Sequence, residues 1–220
     1  MAEGPTGSVI LDIYARGRSA DPVGRAALLC AAGGGDASRM SIGDVDRTIW
    51  QWFKATFTGS HDAVMGCGTC GEQVEFTLPD DFEIPARSVQ AGQLELAYRG
   101  STYRLRLPCL NDVQGGALAR EALADGAPWQ DPGFEAAAQT ALLEADPGLK
   151  VDLELACAAC GAVQLQTLDV AGFAWARLEQ SAQRVVKEVA RLARAFGWSE
   201  AELTSMSQAR RALWLAELGE

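Results

Sequence analysis

A single histidine, His61, stands among 220 residues. A His-rich metal centre and the H-E-x-x-H pattern are thereby excluded, and no phosphate-cradling Walker loop is present. The chain also lacks any stretch near the ~18 uninterrupted apolar residues that a membrane-crossing helix needs, so no span is expected. Positive charge is scarce: 19 Lys and Arg face 29 Asp and Glu, a formal net charge of −10. That balance makes nucleic acid an unfavoured main partner. Met1 to Ser8 contains Gly, Pro and Glu3 where a secretory leader would carry a basic patch and an apolar run, so the expectation is a chain kept in a reducing cytoplasm.

What is present is ordinary in bulk: 48% apolar and 22% charged residues describe a globular chain of one domain or two small ones. The basic residues are unevenly spread. From Ala171 to Glu220 they outnumber acids by one, while the remainder carries −11, and sixteen of the nineteen are Arg, the fork suited to carboxylates. Six cysteines are too few for a disulfide scaffold of this length, but four fall into two tight pairs.

Periodicity gives the outline of the chain. Val9 to Ala32 is weakly helical and stops at Gly33–Gly35, and Ser41 with Asp44 opens a helix carrying Val45, Ile49, Trp52, Phe53 and Thr56. The period then becomes 2: Val74, Phe76 and Leu78 mark one strand, and Gln93 to Leu107 reads as a hairpin turning at Arg99-Gly100-Ser101. Helices are expected over 117–124 and 133–145, strands around Val151–Leu155 and Val163–Leu165. A long helix follows with the apolar face Phe173, Leu178, Ala182, Val185, Val186, Val189, Leu192, Ala193 and Phe196, stopped by Gly197. Ser199 with Glu202, and then Ser207, open two short helices.

Cys67-Gly-Thr-Cys-Gly71 and Cys157-Ala-Ala-Cys-Gly161 match at an offset of 90 residues, each followed by an alternating strand ending in Thr-Leu. Two such knuckles face to face supply four thiolates in a tetrahedron, the closed structural zinc site, and the glycine after each pair lets amides turn toward sulfur. The predicted ligands of one zinc ion per chain are therefore Cys67, Cys70, Cys157 and Cys160. Redox dithiols fit less well, because a helix N-terminus and not Gly-then-strand activates such a pair; iron accepts the same ligands. Cys30 and Cys109 are read as buried apolar residues and His61 as a solvated loop residue. Gly66–Gly71 satisfies G-x-G-x-x-G only by accident, since a strand and not a helix follows. No acid, base and nucleophile set is legible, so no enzyme is expected. The stripe Arg177, Arg184, Lys187, Arg191 and Arg194 is the wet edge of a helix or a surface for an acidic partner.

Taken together, the two Cys-x-x-Cys-Gly knuckles, Arg106-Leu-Pro-Cys-Leu-Asn-Asp112, Phe173-Ala-Trp175, and Phe196-Gly-Trp-Ser-Glu-Ala-Glu-Leu203 followed by Arg210-Arg211 resemble the baseplate hub and assembly proteins of contractile phage tails and related injection systems. The resemblance spans roughly Ser41 to Leu218. It implies a non-enzymatic structural or chaperone-like protein, present in the bacterial cytoplasm during assembly or retained in the baseplate, with hub, spike or other tail proteins as partners. The expected partner-binding residues are Trp198, Glu200, Glu202, Leu203, Arg210, Arg211 and Trp214. The alternative is a zinc-ribbon module for a nucleic acid or a regulatory protein. The expected fold is α+β: two Cys-x-x-Cys β-hairpins form a zinc-ribbon-like centre over 61–170, flanked by helical segments over 1–60 and 171–220.

Overall fold

The computed structural model describes residues 6–59, 61–89 and 92–219. The leader expectation, which falls mostly on residues 1–5, and Ser60 lie outside them. The described chain is α+β, a body of helices joined by small antiparallel hairpins.

The weakly patterned N-terminal stretch is two helices, α1 (Gly7–Gly17) and α2 (Pro22–Ala32). Asp21 accepts from the Gly24 amide and Pro22 sits in the first turn, a start signal that splits the stretch. Helix α3 (Ile42–Thr56) begins where expected, with the Ser41 hydroxyl accepting from the Asp44 amide. Its buried face is Val45, Ile49, Trp50 and Phe53. Trp50, and not the expected Trp52, is the core indole, because its Nε1 reaches the Phe82 carbonyl at 2.8 Å and so leaves no orphan donor.

Hairpin β1 (His61–Gly66) with β2 (Gln73–Leu78) follows, then β3 (Gln93–Tyr98) with β4 (Ser101–Arg106). His61 opens β1 with its ring buried against Trp50 and Phe53, which corrects the solvated-loop expectation. The helix expected over 117–124 does not form. Gly115 and Gly116 both take positive φ, giving the primed two-residue turn between β5 (Val113–Gln114) and β6 (Ala117–Leu118). A 3-10 turn over Arg120–Leu123 follows.

Helix α4 (Pro132–Ala145) packs on the β3–β4 hairpin, where Phe134 meets the rings of Tyr98, Tyr103 and Trp129 to form a second apolar cluster. Hairpin β7 (Asp152–Ala156) with β8 (Val163–Thr167) then leads into α5 (Val170–Phe196). Gly197 ends α5 at φ +71°. The short helices α6 (Glu200–Ser205) and α7 (Gln208–Ala216) start at Ser199 and Ser207 as predicted. Val186 and Phe196, expected on the inner face of α5, are exposed, while Trp175 and Ser181 are buried there.

The centre over 61–170 has its own apolar cluster around Phe134, and another cluster crosses the bounds of all three expected segments. The latter unites Ile13, Leu29, Ile49 and Trp50 with Leu78 of the first knuckle hairpin and Val170 and Leu178 of α5. No helix among the described residues is long and apolar enough to cross a membrane.

Candidate metal centre

The two knuckle hairpins repeat each other bond for bond. In the first, the Cys67 amide donates to the Glu72 carbonyl and the Gly71 amide to the Cys67 carbonyl, both at 2.8 Å. In the second, Cys157 donates to Ala162 and Gly161 to Cys157, both at 2.9 Å. Gly71 and Gly161 take φ of +78° and +71°, a conformation that disfavours any side chain. At the open end, the Thr77 hydroxyl donates to Asp62 at 2.7 Å and Thr167 donates to Asp152 at 2.6 Å. Sequence reading found the Thr-Leu ends but missed these aspartates, although Asp62 and Asp152 keep the same 90-residue offset as the cysteines. It also gave no residues to β1, the strand that completes the expected first hairpin.

The four predicted ligands come together. Cys67 and Cys160 sulfurs lie 3.8 Å apart, Cys70 and Cys157 sulfurs 3.7 Å apart. All four lie within 4.8 Å of one another. A tetrahedron of sulfurs at the ~2.3 Å Zn–S distance has edges of about 3.8 Å, so these cysteines are positioned to hold one metal ion. A disulfide would need ~2.05 Å, and all four are free thiols. Cys67 and Cys157 are buried with Val74, with Met65 packed against them, while Cys70 and Cys160 face outward. Gln164 of β8 ties the halves together by accepting from the Gly68 amide at 3.0 Å.

The electrostatics of the cluster are those of a site that wants a cation. The amides of Cys70 and Thr69 donate toward the Cys67 sulfur and hold it below the ordinary thiol range, at about 6. The Glu72 amide favours the Cys70 thiolate in the same way, but the crowding sulfur of Cys160, burial, and then Cys67 and Cys157 outweigh it and push Cys70 to about 12. Four thiols this close resist losing all their protons without positive charge among them. The other two cysteines stay out: Cys30 is fully buried, whereas Cys109 is only half-buried and donates to Asp112 at 3.2 Å. Arg106 grips the same Asp112 through both its nitrogens, which closes the Arg106–Asp112 motif into a rigid loop.

The expected partner-binding residues divide. Leu203 is fully buried, and Arg211 is 2% exposed, with Nε 2.8 Å from Glu188 and Nη1 donating to the Met206 carbonyl. Both are corrected to internal anchors that fasten α6 and α7 onto α5. Glu202 is exposed but closes the capping box with Ser199. Glu200, Arg210 and Trp214 are exposed, and Trp198 is half-buried. Trp198 stacks on Phe196 with centroids 4.8 Å apart, and Trp214 stands edge-on to Trp198 at 5.0 Å. Compared with protein-family models, curated proteins and solved structures, the chain matches none.

Proposed function

We propose that this chain is a non-enzymatic structural or assembly protein whose four cysteines hold a structural zinc in a zinc-ribbon-like centre, and that it serves in building the baseplate of a contractile phage tail or related injection system. The observation that carries the metal part is the clustering of all four sulfurs within 4.8 Å. Four protein sulfurs fill a tetrahedral shell and leave no position for water or substrate, which separates structural from catalytic zinc. Because 86 residues separate Cys70 from Cys157, the ion closes a long loop and its binding energy is largely folding energy.

The baseplate part rests on the motifs of the sequence. The surface offered to a tail partner is the cluster of Phe196 at the end of α5, Trp198 just after it and Trp214 on α7, flanked by Leu213 and Arg210. Phe196 and Trp214 remain exposed there, and large rings beside an arginine are the composition of interface anchors.

Metal analysis of protein purified without chelator should give about one zinc per chain. The tagged full-length chain, isolated from cells producing the particle, should bring tail proteins with it. Recovery of nucleic acid in their place would overturn the baseplate reading and favour the zinc-ribbon binding module, with Arg177, Arg184, Lys187, Arg191 and Arg194 as its contact stripe.

A further inference from the structure

The repeat is faithful in backbone but not in which face is apolar. On β2 the apolar residues Val74, Phe76 and Leu78 face inward, and the outer positions are Gln73, Glu75 and Thr77. At the equivalent positions β8 and the residue after it hold Gln164, half-buried, Gln166, exposed, and Leu168, half-buried, while Val163 and Leu165 point outward, 63% and 70% exposed. Nothing within the described chain covers them. β8 is also an edge, since it pairs only with β7.

Backbone geometry fixes what that edge offers. Cys157 donates to the Ala162 carbonyl and Leu168 to the Val151 carbonyl, so the even-numbered residues 162 to 168 turn their amides and carbonyls toward β7. By antiparallel alternation, Val163, Leu165 and Thr167 turn theirs toward open space. The Thr167 carbonyl accepts only from the neighbouring Gln166 side chain, at 3.3 Å. Exposed edges are usually guarded by charge or proline. Every other strand of five or six residues here carries at least one acidic or basic side chain; β8, Val-Gln-Leu-Gln-Thr, carries none.

We infer that β8 pairs antiparallel with β8 of a second copy of this chain, with the dyad at Leu165. The strand is self-complementary about that residue. Leu165 faces its own copy in a hydrogen-bonded pair, Gln164 faces Gln166, and Val163 faces Thr167. Every outward amide and carbonyl of the three odd residues then finds a partner, and the exposed apolar side chains form one continuous row across the joint. The absence of charge matters in a chain of net charge −10. Glu154 lies opposite Leu165 on β7, and in the joined sheet the two β7 strands stand three strand spacings apart, about 14 Å. That exceeds the ~8 Å screening length at physiological salt. Five residues a side is far below a standard interface, so the dimer is weak and concentration-dependent.

Sedimentation velocity on the full-length, metal-loaded chain over a concentration series should show monomer and dimer in exchange. Leu165→Lys should raise the dimer dissociation constant at least about tenfold, the loss of one well-placed contact of ~1.4 kcal/mol, with melting temperature and metal content unchanged. Leu213→Lys, an equally exposed apolar position on α7, should leave the dimer intact. As a second readout, Leu165→Cys should cross-link two copies under mild oxidation, because paired Cα atoms at the dyad lie at ~5.5 Å, within disulfide range, while Gln166→Cys should not. A chain that stays monomeric at every concentration, a dimer indifferent to Leu165→Lys, or equal cross-linking at positions 165 and 166 would each overturn the pairing.

Discussion

Arg47 and Asp146, 99 residues apart in sequence, form a two-pronged ion pair with N–O distances of 2.8 and 3.0 Å. Asp146 is fully buried at the end of α4, and Arg47 projects from α3, so the pair fastens the helical core to the cluster built on β3 and β4. It is also fully satisfied. Asp146 takes the Gly148 amide and the Ser41 hydroxyl, while Arg47 reaches the Pro85 carbonyl and Asp44. Arg87 extends the network from the rim, 2.9 Å from Asp44.

Removing one partner of such a pair strands a buried charge. Asp146→Ala should therefore cost about 3–5 kcal/mol in urea unfolding. Arg47→Lys should recover only part of the Arg47→Ala loss, since an ammonium cannot reproduce the fork. In a double-mutant cycle, Arg47→Ala with Asp146→Ala should lose less than the two single losses added. Strict additivity would show that the two side chains do not act as a unit.

The metal centre makes a second expectation, in which metal and stability move together. Cys157→Ser should lower zinc content and melting temperature in parallel, and Cys67→Ser should match it, because each removes one of four ligands. Cys30→Ala and Cys109→Ser should keep full metal content. Zinc analysis beside thermal melts checks both, and a four-serine variant as stable as the wild type would remove the structural role. Thr77→Val and Thr167→Val, which break the clamps to Asp62 and Asp152, should each cost only ~1 kcal/mol or less. Those hydroxyls are exposed.

Much of this was legible in the sequence where one period ran long enough. The β3–β4 hairpin follows from strict alternation around Arg99-Gly100, and α5 from its apolar face and terminal Gly197, while its N-cap, Asp169, went unread. The residues of β1 were not legible, because its inward positions, His61, Ala63 and Met65, mix a polar ring and a small methyl with one large apolar chain, while Val64 faces out. Alanines at 117, 119, 122 and 124 suggested a helix, but Gly115-Gly116 decided the local backbone first. The four ligands were legible as chemistry. Their convergence was expected from the matched repeat, but the contacts that secure it, such as Gln164 with Gly68, are encoded in no local pattern.

Stability should fall as pH rises from about 4 to 7, through Asp46. Burial, then the like charge of Asp169, against the pull of Arg47 and with a further push from Asp146, raises its carboxyl to about 7. The folded state thus keeps a proton that the unfolded carboxyl, near ~3.9, has lost, and the fold pays on the order of 4 kcal/mol at most once pH exceeds 7. Asp112 has the opposite sign. The Arg106 guanidinium holds it at about 2, so its contribution is complete above about pH 4 and is lost only below that. Asp46→Asn should therefore be more stable than the wild type at pH 8, with the gap closing toward pH 4. Denaturation curves that stay parallel from pH 4 to 8 would sink this reading.

The C-terminal helices yield the last expectation, because their residues do two different jobs. Leu203 and Arg211 hold the segment in place, so truncation after Gly197 should destabilise the whole chain and cannot by itself reveal a docking surface. Leu203→Ala should cost about 2–5 kcal/mol as a core cavity. Arg211→Ala should be comparably severe, since it leaves Glu188 of α5 without its Arg211 partner. Leu213 and Trp214 differ. Leu213 is 70% exposed and Trp214 keeps a third of its surface in solvent beside Phe196 and Trp198. Leu213→Asp and Trp214→Ala together should leave zinc content unchanged and cost little stability, yet reduce recovery of tail proteins at least about tenfold, the scale of one lost anchor. If recovery is unchanged in a variant that folds normally, the ring cluster is only the cap of α5, and the exposed side chains of Arg184, Lys187 and Arg194 become the surface to vary next.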